Sequence, residues 1–183
     1  MKASILAAAA IGLSASSPAN ASIMTIGGSL ARDCFEAAEA RNATSQNLAS
    51  CDRALVEEAL MTDDRVATYV NRGILRLVTG DFPHADADFD RAIAINPREP
   101  DAWLNKAVST IRQGNNAAAL PLIDRAIEFK TRRPALAFYT RGLINENQGD
   151  VKAAYADLVR ARDLEPGWEL PARELTRYQV RHR

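Results

Sequence analysis

DFDRAIAI, residues 88–95, is a phrase this chain writes repeatedly. SCDRALVE begins at Ser50, LIDRAIEF at Leu122 and a blurred DLVRARDL at Asp157. Aligned on Ala54, Ala92, Ala126 and Ala161, the copies are 38, 34 and 35 residues apart. A fixed period in this range marks stacked supersecondary units, each unable to bury its apolar face alone. A second pattern keeps step upstream: YVNRG ends at Gly73, WLNKA at Ala107 and FYTRG at Gly142. Gly-centred breaks follow at TGDF from Thr79, QGNN from Gln113 and QGDV from Gln148.

Each unit therefore reads as helix, Gly turn, helix. Tyr69, Gly73 and Leu77 recur at intervals of four and share one helical face. Ala85, Phe89 and Ala92 do the same in the second helix. Small residues at Gly73, Ala85 and Ala92 let two backbones approach closely, while Tyr69 and Phe89 fill the flanking space. Pro97 and Pro166 stop the second helix, because proline has no N–H to give. In the DRA core of the phrase, Ala faces the seam while Asp and Arg face water.

On these residues the chain resembles the tetratricopeptide repeat family, whose unit is a 34-residue helix–turn–helix. Tyr69, Gly73, Gly80, Ala85, Phe89, Ala92 and Pro97 carry the first copy. Trp103, Ala107, Gly114, Ala119, Ile123 and Ala126 carry a second, and Phe138, Gly142, Gly149, Ala154, Leu158, Ala161 and Pro166 a third. The implied fold is all-α, an α-solenoid of stacked hairpins. Its expected divisions are a signal peptide over 1–21, a degenerate hairpin over 22–65, repeats over 66–99, 100–133 and 134–168, and a capping helix and tail over 169–183. The second copy departs from the pattern, with Thr131 where the terminal Pro belongs and Pro121 inside its second helix. That proline is expected to bend the axis.

The expected signal peptide rests on MKASILAAAAIGLSASSPANAS. Lys2 starts it, Ala3 to Leu13 is a short apolar run, and small residues at Ala19 and Ala21 suit cleavage after Ala21. The run is too short to span a bilayer, and no later stretch is apolar for long enough to do so. The expectation is a periplasmic or secreted chain without an integral membrane segment after cleavage. Lys and Arg number 23 and Asp and Glu number 23, so no net field draws in nucleic acid.

A repeat array exposes its core at both ends. Leu170, Leu175 and Tyr178 among Arg and Glu suit a capping helix, with Trp168 over the last seam. At the other end, LARDCFEAAEA and NLASCDRALVEEAL read as a worn hairpin. Cys51 stands where the other copies carry Phe89, Ile123 and Leu158, and the alignment sets Cys34 at the place of Arg72. Two cysteines on facing helices of an exported chain point to a disulfide contributing about 3 kcal/mol. A redox pair would favour a CxxC arrangement, and zinc would need two further ligands.

In the implied superhelix the first helix of each pair lines an inner groove. A second apolar stripe runs along these helices: Val70, Asn71 and Ile74; Leu104, Asn105 and Val108; Tyr139, Thr140 and Leu143. Packing between neighbouring repeats accounts for part of it. The rest suits a peptide or helix of a partner protein, because an Asn amide donates to and accepts from a peptide backbone at once. In the resembled family, inner-wall Asn residues often act this way. Paired Lys and Asn residues of the family's carboxylate-clamping subgroup do not recur here; Arg72, Lys106 and Arg141 are expected to pair with Asp52, Asp90 or Asp124 instead.

Catalysis finds little support. Histidines stand only at His84 and His182, and GxSxG, P-loop and HExxH patterns are absent from the sequence. HADADFD (residues 84–90) places His84, Asp86, Asp88 and Asp90 on different helical directions, so they cannot converge on a metal. No cofactor is expected. The expected function is that of an adaptor or scaffold; the alternative is a self-assembling homo-oligomer whose groove holds a second subunit or its own tail.

Overall fold

A computed structural model describes Ile23 and residues 29–178. The proposed signal peptide, residues 1–21, and the tail beyond Tyr178 lie outside these described residues. Within them the chain forms nine α-helices and no strand. They are α1 (Ser29–Glu39), α2 (Ser45–Glu57), α3 (Thr62–Thr79), α4 (Phe82–Ile95), α5 (Pro100–Arg112), α6 (Asn116–Glu128), α7 (Pro134–Asn147), α8 (Val151–Leu164) and α9 (Glu169–Leu175). Consecutive helices pack as hairpins, and α1 also touches α3, and α3 touches α5, across the stack. The fold is thus an all-α solenoid of four hairpins closed by α9.

Turn chemistry sets the hairpins. Gly80, Gly114 and Gly149, which end α3, α5 and α7, have φ of 79°, 83° and 87°. This left-handed geometry lets the next N–H return to a carbonyl five residues back, as Asp81 does to Arg76 at 2.9 Å. Three of the four second helices begin on side-chain caps: Thr44 accepts from the Asn47 N–H, Asn115 from Ala118 and Asp150 from Ala153. α6 continues through Pro121.

Within a hairpin the seam is as tight as its residues predict. A Cβ built on Gly73 would lie 2.5 Å from Phe89 Cε1, and one on Gly142 would lie 3.2 Å from Leu158 Cγ. Phe89, Leu158, Ala85, Ala92, Ala154 and Ala161 are fully buried. In the first hairpin the sulfurs of Cys34 and Cys51 are joined, with Cα atoms 4.9 Å apart. Cys51 takes the place of Phe89, and its partner Cys34 therefore occupies the place of Gly73. The sequence alignment set it at Arg72, one residue away, because the α1–α2 loop is longer than the α3–α4 turn. Glu58 closes the same hairpin by accepting the Leu30 and Ala31 N–H groups at the start of α1.

Polar side chains hold the seams on the other side. Arg72, nearly buried, donates Nε and Nη2 to the fully buried Asp88 at 2.9 and 2.6 Å, and Nη1 to Asp52 of the preceding hairpin at 2.6 Å. Arg141 repeats the arrangement, forking onto Asp157 at 2.8 Å twice and reaching back to Asp124 at 2.8 Å. In the hairpin between them Leu122 stands at the place of Asp88, and Lys106 replaces the arginine. Lys106 keeps the backward contact, to Asp90. An ammonium is a point donor without a fork, so Arg and the inner Asp change together. The Asp of each DRA phrase thus ties its hairpin to the next, as its alignment with these cations suggested. In α8, which meets α9 rather than another hairpin, Val159 stands there instead.

The C-terminal capping helix α9 has seven residues, Glu169–Leu175. Trp168 packs on the core cluster of α5, α6 and α7 and lies 4.7 Å from the Tyr139 ring. Tyr178 reaches Tyr155 at 5.6 Å, and Arg177 bonds Glu146.

Two measurements test these seams. Gly73→Ala forces its methyl onto a buried ring and is expected to destabilise by about 2 kcal/mol after the helix-propensity gain, whereas Gly142→Ala stays within about 1 kcal/mol of wild type. Urea denaturation ranks them; the reverse order contradicts the packing described. Asp88→Leu removes the buried acceptor shared by Arg72, Arg76 and Arg91, leaving Arg72 its bond to Asp52, and is expected to cost about 3 kcal/mol. Adding Arg72→Lys, which copies the Lys106–Leu122 pair, is expected to recover more than half of that loss in a double-mutant cycle.

Candidate functional site

The first helices α3, α5 and α7 present the stripe read from the sequence, and their local chemistry divides it into three parts. On α3, Val70, Asn71 and Ile74 are fully buried. On α5, Leu104 and Asn105 are fully buried and Val108 nearly so. Only on α7 do Tyr139, Thr140 and Leu143 keep partial exposure. Packing between repeats has thus claimed more of the stripe than an open groove allows, and Val70, Ile74, Leu104 and Val108 serve as core.

The two asparagines differ. Asn71 Nδ2 donates to the Ile23 carbonyl oxygen at 2.7 Å, and its Oδ1 accepts from the Ile23 N–H at 2.9 Å. One side-chain amide thereby holds both main-chain polar groups of one residue, 48 positions earlier in the chain. Ile23 is itself 7 % exposed and belongs to the apolar cluster that includes Cys34, Val66, Ala67, Val70, Ile74, Ala102 and Val108. Asn105 does something else. Its Nδ2 donates to the Asp101 carbonyl one turn back on α5 at 2.9 Å.

Next to Asn105 lies a polar knot that the sequence pattern did not reveal. Asp101 is fully buried. Its Oδ1 accepts from Thr131 Oγ1 at 2.7 Å and from the Arg132 N–H at 3.3 Å, while Oδ2 faces Arg132 Nη1 at 3.5 Å. Thr131, noticed in the sequence only as a missing proline, is a ligand of this carboxylate. Its position follows from Lys130, whose φ of 62° turns the chain after α6 so that the Thr131 N–H returns to Ala126. Burial pushes the Asp101 carboxyl above the usual range despite the Thr131 hydrogen bond and the Arg132 charge. Glu99, capping α5 through the Asp101 N–H, is raised by burial and then by the Asp101 charge.

The acidic cluster of residues 84–90 disperses. His84 pairs with Asp81, Asp86 accepts from Gln113, Asp88 from Arg72 and Arg76, and Asp90 from Lys106. Among the described residues no group of three His, Cys, Asp or Glu is arranged to hold a metal. An open depression of about 400 Å³ lies where the α6–α7 turn meets the end of α8, lined by Arg132, Arg133, Pro134, Ala135, Leu164 and Glu165. None of the nine stripe residues lines it. Among the described residues no helix is long and apolar enough to cross a membrane.

A stack of helical hairpins closed by a capping helix defines a helical-repeat solenoid. Residues 70–134, covering most of α3 through the start of α7, match the tetratricopeptide repeat family. The chain is also similar to human tetratricopeptide repeat protein 36, with 33 % identity over 96 residues. That alignment takes in 51 % of this chain and 51 % of the relative, so the chain spans about half the length of the curated protein it matches.

The Asp101 knot makes a pH prediction. Both Asp101 and Glu99 have folded values raised above their unfolded ones, so their stabilising contribution is complete below the unfolded carboxylate range and is lost as pH rises through the folded values. Asp101→Asn keeps an acceptor for Thr131 but removes the titration. Wild type is therefore expected to gain stability relative to the variant as pH falls from 7 toward 4. Urea melts across that range check the sign, and a relative loss contradicts it.

Proposed function

We propose that this chain is an exported interaction module, an adaptor without catalytic activity of its own, that holds a segment of a partner protein along its first helices. The carrying observation is the Asn71 clamp: an inner-helix amide bonded to both main-chain polar groups of a residue outside the helices. Such amide contacts read a backbone, leaving the choice of side chain to the surrounding surface. Tyr139, Thr140 and Leu143 supply the accessible continuation on α7, with Tyr139 braced by Trp168. The joined cysteines agree with an oxidising compartment, periplasmic or extracellular, reached through cleavage after Ala21. The match to the tetratricopeptide repeat over residues 70–134 supports a protein partner.

Buried Val70, Leu104 or Asn105 would report on folding rather than binding, so the test belongs on α7. Thr140→Arg with Leu143→Asp is expected to lower capture of envelope proteins by the immobilised chain at least tenfold, with helix content unchanged by circular dichroism. Equal capture by the folded variant rejects this surface. The same material, isolated from the producing cell, is expected to begin at Ser22 and to show no free thiol when unfolded; a retained leader or two thiols rejects export.

A further inference from the structure

Asn71 is fully buried, and both ends of its amide are spent on Ile23. Removing Ile23 would leave that amide without these partners inside an apolar cluster, a costly state for any polar group. The α3 position is therefore built to be filled. Its demands can be read from the present occupant. The residue must have a backbone N–H, which excludes proline, and its carbonyl must be free of helical bonding. Its side chain must be apolar, because Ile23 sits against α1, α3 and α5 at 7 % exposure. A branched aliphatic residue in a non-helical segment satisfies all three.

We propose that Asn71 is a peptide-backbone site whose resident ligand is the chain's own Ile23, and that a partner segment gains this position by displacing it. The proposal rests on the reading of the groove as a partner-binding surface, and it adds the ligand class: a non-helical segment centred on Ile or a similar aliphatic residue. Because Ile23 is tethered to the same chain, it competes at a high effective concentration, and an incoming segment binds more weakly than its contacts alone dictate. Held this way, the site is closed to weak ligands and open to those that also engage α7.

The test uses the full chain and a fluorescein-labelled peptide of residues 22–28. Ile23→Asp places a charge where the cluster excludes one and undocks the segment. The labelled peptide is expected to bind the Ile23→Asp chain at least tenfold more tightly than wild type, and to lose that binding when Asn71→Ala is added. Equal binding to wild type and Ile23→Asp, no binding to a folded Ile23→Asp chain, or binding that ignores Asn71 overturns the proposal. Amide hydrogen exchange gives a readout independent of that variant. In wild type the Ile23 N–H is expected to exchange at least a hundredfold more slowly than in the free peptide, and an Ile23 N–H exchanging at the free rate overturns the proposal. If the peptide competes as expected while Thr140→Arg with Leu143→Asp leaves protein capture unchanged, the resident-ligand proposal stands and the partner-binding reading of α7 fails.

Discussion

Close approach of two helix backbones is the constraint on which the remaining structure depends. At Gly73 a Cβ would collide with the Phe89 ring at 2.5 Å, and at Gly142 it would lie 3.2 Å from Leu158 and the Ala154 carbonyl, so the opposite helix leaves little or no space there. Knob and hole fix the depth of each hairpin, and the alanines at 85, 92, 154 and 161 keep the two helices together along their length. The first hairpin meets the same constraint by another means. Cys34 and Cys51 stand at those two positions, and a covalent bond replaces the packing. That exchange suits a unit with a short, alanine-rich core, which has little apolar volume to bury by itself.

A second regularity, electrostatic rather than steric, is laid over the first. Arg72 and Arg141 each serve two carboxylates, one inside their own hairpin and one on the hairpin before. Their rings of attachment include the aromatic residue one turn back, Tyr69 at 5.6 Å and Phe138 at 5.3 Å. A guanidinium sandwiched in this way orients both the hairpin and its neighbour. The middle hairpin does without the inner fork because Leu122 gives it apolar packing instead, in contact with the core of α5 to α7.

Period, turn and seam were legible because each is a local signal repeated in register: Gly80, Gly114 and Gly149 mark turns by their conformation, and the DRA phrase marks the second helix by its face. The outward partners Asp52, Asp90 and Asp124 were legible for the same reason. Three features were not. The pairing of Asp88 and Asp157 with the arginines was not legible, since nothing linear distinguishes an exposed carboxylate from one placed opposite an arginine 16 residues away. The stripe on α3 and α5 looked like an open wall, because a pattern of apolar residues does not say whether a neighbouring repeat or a ligand covers it. Ile23 lay beyond any period. Its role depends on Asn71, 48 positions later, and only the fold brings the two together.

The arginine contacts differ in their access to water. Inside hairpins they are sheltered: Asp88 is fully buried and Asp157 nearly so. Between hairpins the receiving carboxylates Asp52, Asp90 and Asp124 expose 54, 56 and 57 % of their side-chain surface. Dissolved salt, whose screening length is about 8 Å at physiological strength, weakens wet pairs far more than dry ones. Ionic strength therefore weakens the ion pairs between hairpins more than those inside them.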